Sequence, residues 1–176
     1  MTKFFVNSQI VIDEKMEDKP NFLKPIAEVI PKELKDWVHW VCWKAEYRNS
    51  KWTKVPYNPN NDRKAKSNDP STWGSFVSAY HQYGQNGYDG IGYMLSNDDP
   101  FTGFDFDHCQ NPKTGEIEPK IQEYVDRLNS YTEISPSGKG IRIFVKAKLP
   151  EGRRKNGNIE VYNSGRYLTL TGHRIK

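Results

Sequence analysis

Three carboxylates carry the clearest chemistry in this sequence. In Gly103-Phe104-Asp105-Phe106-Asp107-His108 acidic and apolar residues alternate. On a strand, alternate side chains share a face, so Asp105 and Asp107 point one way and Phe104 and Phe106 the other. The two acids then stand about 7 Å apart along the strand. At an effective dielectric of about 20 their charges repel by about 2 kcal/mol. A divalent cation between them turns the repulsion into attraction, and hard oxygen ligands with no Cys/His cluster favour magnesium or manganese over zinc. The same alternation also describes an ordinary half-solvated strand. Glu160 adds a third acid: in Asn158-Ile159-Glu160-Val161-Tyr162 it faces outward between two core residues. Two ions about 4 Å apart, bridged by such acids, activate a 3′-hydroxyl and neutralise a departing pyrophosphate.

Cationic and glycine-rich segments supply the complementary charge. Ser135-Pro136-Ser137-Gly138-Lys139-Gly140 precedes an apolar strand. Its glycines let backbone N–H groups converge on an anion, while Ser137 and Lys139 add a hydroxyl and a positive charge. Arg142 and Lys146 lie on the strand face opposite Ile141, Ile143 and Val145, placed to hold a triphosphate. Arg166, in Ser164-Gly165-Arg166-Tyr167, is a second guanidinium able to fork onto phosphate oxygens. Lys54, with Arg63, Lys64 and Lys66 nearby, could contact a nucleic-acid backbone. The chain has no GxxxxGK[ST] phosphate loop, no HExxH, and no Ser/His/Asp or Cys/His constellation. His108, directly after Asp107, points to the face opposite the acids if the strand continues, and His173 is at most a supporting neighbour of the acids.

The 176 residues suggest one domain or two closely joined lobes. Five Trp, ten Tyr and eight Phe exclude a disordered chain, and no stretch approaches the roughly 20 apolar residues of a membrane span. Cys42 and Cys109 are too few for a disulfide framework and read as buried thiols in a reducing cytosol. The net charge of +4 is uneven: from Lys139 onward ten Lys/Arg face two acids, leaving a net −4 for the first 138 residues. A basic last third suits a polyanionic partner.

Residues 1–20 read as a flexible leader, and 21–176 as the folded unit. Strands are expected at Trp37–Trp43 and Lys51–Val55, with a turn at Asn58-Pro59-Asn60-Asn61. A helix is expected from Asp69-Pro70 to Gly84, its apolar face formed by Trp73, Phe76, Val77 and Tyr80. Strands Gly90–Leu95 and Thr102–His108 follow. A second helix from Glu118 carries Ile121, Tyr124, Val125 and Leu128, before strands Tyr131–Ile134, Gly140–Val145, Asn158–Tyr162 and Tyr167–Thr171. This order is α+β rather than doubly wound.

Taken together, Gly103-Phe104-Asp105-Phe106-Asp107, Ser135-Pro136-Ser137-Gly138-Lys139-Gly140-Ile141-Arg142-Ile143 and Ile159-Glu160-Val161-Tyr162 with Ser164-Gly165-Arg166-Tyr167 resemble the three ordered motifs of the archaeo-eukaryotic primase superfamily. More narrowly, the chain resembles the primase–polymerase domain of phage and plasmid replication proteins, over roughly residues 32–173, including Lys54-Val55-Pro56-Tyr57-Asn58-Pro59 and Trp73-Gly74. The resemblance implies template-directed nucleotidyl transfer in DNA replication, from nucleoside triphosphates on a DNA template or primer, with Mg2+ or Mn2+. It implies a two-lobed fold, an N-terminal α/β lobe (about 21–100) against an RRM-like lobe (about 101–176), with the site in the cleft. Asp105, Asp107 and Glu160 would bind metal, and Ser137, Gly138, Lys139, Arg142 and Arg166 would surround the nucleotide. Larger relatives carry a helicase module downstream. Many members have His where this chain has Arg142, which binds phosphate but cannot serve as a proton donor near neutral pH. An alternative drawn from the residues is a non-catalytic single-strand-binding module of a replication initiator, and a weaker third is a nuclease using the same acids.

Overall fold

The structure is a computed structural model and describes residues 18–176; all but the last three residues of the expected leader lie outside the described residues. Among the described residues nine strands form two wholly antiparallel sheets, with three short α-helices, an α+β architecture. The first sheet has the order β2-β1-β3-β9 and comprises β1 (Trp40–Arg48), β2 (Lys51–Tyr57), β3 (Gly90–Leu95) and β9 (Arg166–Leu170). The second has the order β5-β6-β4-β8-β7 and comprises β4 (Phe101–Phe106), β5 (Tyr131–Ile134), β6 (Ile141–Lys146), β7 (Lys155–Asn156) and β8 (Ile159–Tyr162). The helices are α1 (Lys32–Lys35), α2 (Phe76–Gln85) and α3 (Pro119–Leu128).

The first strand begins three residues later than expected and runs five further. Val38 is 65% exposed, whereas Trp40, Val41, Cys42 and Trp43 are buried. Beyond Trp43 the strand is held by β2, the two meeting across Asn49 and Ser50, both in the left-handed region that a tight hairpin turn requires. The helix expected from Asp69-Pro70 divides in two. Asp69 does cap a turn, accepting from the Ser71 N–H at 3.2 Å, but that turn is a 3-10 helix over Pro70–Thr72. Trp73 then takes an extended conformation and buries its ring among Val41, Ala65 and Met94. Ser75 caps the real helix by accepting from the Ser78 N–H. With the register so shifted, Val77 is exposed rather than on the apolar face.

The second sheet has one apolar face, as its alternation requires. Phe104, Phe106, Ile141, Ile143 and Val145 pack beneath α3 through Ile121, Tyr124, Val125 and Leu128. The opposite face meets the first sheet through Phe144, Tyr131 and Tyr162, which pack with Tyr93, Leu168 and Leu170. Here Gly103 lets the sheets approach, since a Cβ on it would lie 2.4 Å from Leu168 Cδ1. The closing strand β9, although it follows all of the second sheet in the chain, pairs with β3. A division near residue 100 is thus crossed by the last strand.

Glu133 fixes this junction. It is fully buried on β5 and accepts from the Thr171 N–H (3.0 Å), the Gly172 N–H (2.8 Å) and the Tyr131 hydroxyl (2.6 Å). Gly172 has φ +70, and a Cβ there would lie 2.2 Å from the Ile26 carbonyl oxygen, so no other residue fits the bend that Glu133 clasps. Removing a buried acceptor leaves its donors unsatisfied at about 1–3 kcal/mol each. Glu133→Ala is therefore expected to lower unfolding stability by about 3 kcal/mol or more, read as a fall in the urea midpoint with m unchanged.

Candidate active site

Strand register assembles the site. Across the second sheet one row of residues stands side by side: Glu133 opposite Arg142, Arg142 opposite Asp105, Asp105 opposite Glu160, and Glu160 opposite Lys155. Directly opposed residues in antiparallel strands have their Cα atoms about 4.5–5.5 Å apart. Asp105 and Glu160, 55 positions apart in the chain, are therefore cross-strand neighbours on the face turned toward the first sheet.

Arg142 ties that row to β9. It is 5% exposed. Its Nε donates to Asp105 Oδ1 at 3.2 Å, and its Nη1 donates to the Thr169 carbonyl at 2.9 Å and to the Thr169 hydroxyl. β9 is an edge strand, so its outward carbonyls have no ladder partner, and the guanidinium supplies one. Glu160, also buried, accepts on Oε1 from Lys155 and on Oε2 from Arg166 (2.7 Å) and Tyr162 (3.0 Å). Burial raises the Glu160 carboxyl, but the bonds from Lys155 and Tyr162 and the charges of Arg166 and Lys155 prevail and hold it below its ordinary value. Arg166 also stacks on Tyr162, 4.8 Å from the ring centre.

A cleft of about 500 Å³ opens between the sheets, lined by Asp105, Arg142, Arg166, Tyr167, Thr169 and Lys54, with Pro56, Ala65 and Ser67 among the residues of its wall. Lys54, expected only as a nucleic-acid contact, lies in this cleft. Burial and the Arg142 charge lower its pKa, partly offset by Asp105 and Asp107. Arg63, Lys64 and Lys66 are exposed on the segment that also supplies Ala65 and Ser67, and Lys64 approaches Glu46 at 3.5 Å. Lys146 stands at the far end of β6, paired with Glu33 at 3.3 Å, and does not join the row.

Asp107 lies one residue beyond β4. Its N–H donates to the Asn158 carbonyl, and Asn158 Nδ2 donates back to the Asp107 carbonyl, both at 2.9 Å. Partial burial and the charge of Asp105 raise the Asp107 carboxyl above the usual range, with Arg142, His108 and Lys54 offsetting part of that. The Ser137–Gly138–Lys139 loop sits beside this segment, the Gln110 N–H donating to the Lys139 carbonyl at 3.0 Å. Its own amides turn inward: Gly138 donates to the Ser135 carbonyl, and Lys139 and Gly140 to the Ser137 and Ser135 hydroxyls. The Lys139 side chain is exposed. His173 bonds the Lys24 carbonyl, and His39 is buried against Asp99, 3.1 Å from its Oδ2, neither near the acids' partners. Cys42 and Cys109 are buried free thiols, as expected, pushed up to about 12 and about 11 by burial.

Among the described residues no group of three His, Cys, Asp or Glu side chains is close enough to hold a metal ion. The donor chemistry nevertheless suits Mg2+ or Mn2+: two opposed hard carboxylates, Asp105 and Glu160, with a third, Asp107, two residues along from Asp105. Cations of the chain engage both oxygens of Glu160 and one of Asp105. Sequence reasoning passed over Lys155 and Thr169. Lys155 was legible in part: Gly157-Asn158 is a two-residue hairpin signal, and it places Lys155 opposite Glu160. Nothing local in the sequence marks Thr169.

No family model matches the sequence. The chain is similar to a DNA primase-polymerase, which supports a primase–polymerase domain. It is 40% identical, over 147 residues, to the DNA primase-polymerase of Nitratiruptor phage NrS-1, a match spanning 80% of this chain and 20% of that protein. The chain thus spans about a fifth of the relative's length.

The raised Asp107 carboxyl has a measurable consequence. Folded protein holds more protons than unfolded between the ordinary and the raised pKa, so stability falls as pH rises through that window and the penalty is complete above it. Asp107→Asn is expected to raise the melting temperature at pH 7, with the gain vanishing at pH values below the ordinary Asp range.

Proposed function

We propose that residues 21–176 form a catalytic domain for template-directed nucleotidyl transfer in DNA replication, acting on a DNA template or primer and nucleoside triphosphates. One observation carries this reading: Asp105 lines a cleft whose other charged walls are Lys54, Arg142 and Arg166, and Glu160 opposes Asp105 on the adjacent strand. The relationship to a phage DNA primase-polymerase supports it. So does the second sheet, whose β4–α3–β5 crossover and β8-β4-β6-β5 order suit an RRM-like lobe packed on an α/β lobe.

Asp105, Asp107 and Glu160 would hold Mg2+ or Mn2+, which supply activation of the 3′-hydroxyl and neutralisation of the leaving pyrophosphate when bound. Arg142 holds Asp105 in place and keeps a permanent positive charge at the cleft wall. Lys54 and Arg166 face the same space and would engage triphosphate oxygens, with Ser137, Gly138 and Lys139 flanking from the loop beside Asp107. Arg63, Lys64 and Lys66 continue the positive charge along the rim, where a template backbone would run. A helicase module would lie elsewhere in a longer replication protein.

Asp105→Asn and Glu160→Gln keep the size and shape of the side chains while removing their charge. Each is expected to reduce primer extension at least about a hundredfold, the scale set by loss of groups around a metal, with an unchanged circular dichroism spectrum. Extension at the parental rate in both variants would defeat the proposal. A parental protein that binds single-stranded DNA but extends nothing, in either metal and with either sugar, would point to a non-catalytic binding module.

A further inference from the structure

The resting site is closed by its own cations. Both oxygens of Glu160 are engaged, Oε1 by Lys155 and Oε2 by Arg166 and Tyr162. A carboxylate so occupied has little charge left for an ion, and the ammonium beside it repels a divalent cation. The two halves of the pair differ sharply in exposure. Glu160 is held on β8 with its side chain 10% exposed, whereas the Lys155 side chain is 63% exposed. Lys155 stands on β7, a two-residue edge strand reached through the Gly157 turn, and no core packing fixes it. It can leave Glu160 by rotating its own stem, with no rearrangement of either sheet.

We infer that Lys155 is an exchange ligand: it neutralises Glu160 in the empty site and transfers to the phosphates of the incoming nucleotide as the metal arrives. The inference rests on the carboxylate reading above. Its chemistry is a swap of counter-ions, with no bond made or broken covalently. Metal binding at Asp105 and Glu160 releases an ammonium that shares Glu160 with Arg166, itself a wall of the cleft, and a polyanion bound there in turn draws that ammonium off the carboxylate. Each ligand thereby favours the other, and by linkage the effect is reciprocal. Arg166, 49% exposed and bonded to the other oxygen, is placed to follow the same course. Asp105 takes no part in the exchange, because its partner Arg142 is buried and bonded to β9.

The test measures binding without turnover. Mn2+ affinity is read from the electron-paramagnetic-resonance signal of the free ion without nucleotide, and dTTP affinity by calorimetry with Mn2+ present. In Lys155→Met, Mn2+ alone is expected to bind about threefold more tightly, the scale of a partly exposed ion pair. Binding of dTTP is expected to weaken about tenfold, the scale of a charge-assisted bond to phosphate. Lys155→Arg should keep both affinities close to parental, and Lys148→Met, whose ammonium caps the Asn97 and Asp99 carbonyls instead, should alter neither. Parental protein that binds Mn2+ through Glu160, with a Lys155→Met affinity equal to or weaker than parental, would overturn the exchange and leave the carboxylate reading standing. Parental protein that binds no Mn2+ would overturn both.

Discussion

A buried guanidinium sets the relation between the two sheets. A guanidinium is a donor-only cation, so the burial of Arg142 is tolerable only with acceptors around it. Those acceptors come from separate parts of the chain: Asp105 on the neighbouring strand, and the Thr169 carbonyl and hydroxyl on β9. Satisfying the charge therefore requires β4, β6 and β9 to meet. Glu133, in register with Arg142 from the other side, clasps the bend after β9 and closes the arrangement.

The cleft follows from this junction. The two faces of β9 have different fates: Leu168 and Leu170 enter the core shared by both sheets, while Tyr167 and Thr169 line the open side with Asp105 and Arg142. Its charges are held at two levels of rigidity. Arg142 is fixed by burial, whereas Lys155 and Arg166 reach Glu160 from exposed stems. The proposed function would use both: a fixed field to orient an incoming ion and polyanion, and displaceable counter-ions to keep the empty state stable.

Comparison of the expected and observed elements shows where local reasoning held. β3 and β5 have the bounds that their apolar composition and flanking turn residues indicate. The helix over Pro119–Leu128 packs through the four residues that its spacing selects. The segment after Asp69 misled because two capping signals stand six residues apart. Asp69 and Ser75 both cap, and burial of Trp73 between them decides that the chain straightens before the longer helix starts. Likewise Trp37-Val38 has the composition of a strand, but no neighbouring strand pairs with it.

The alternation of Asp105 and Asp107 with phenylalanines, the placing of Glu160 on the strand face opposite Ile159 and Val161, and the +8 balance of the last third were properties of the sequence itself, since side-chain period and charge are local; that this face of β8 is the buried one, with Glu160 turned inward rather than outward, was not. That Glu160 opposes Asp105, that Lys54 enters the cleft, and that Lys155 and Arg166 cover Glu160 were decided by strand order and register. Those depend on which long-range pairings bury the most apolar surface and satisfy Arg142 and Glu133 at once, and no window of neighbouring residues contains that information.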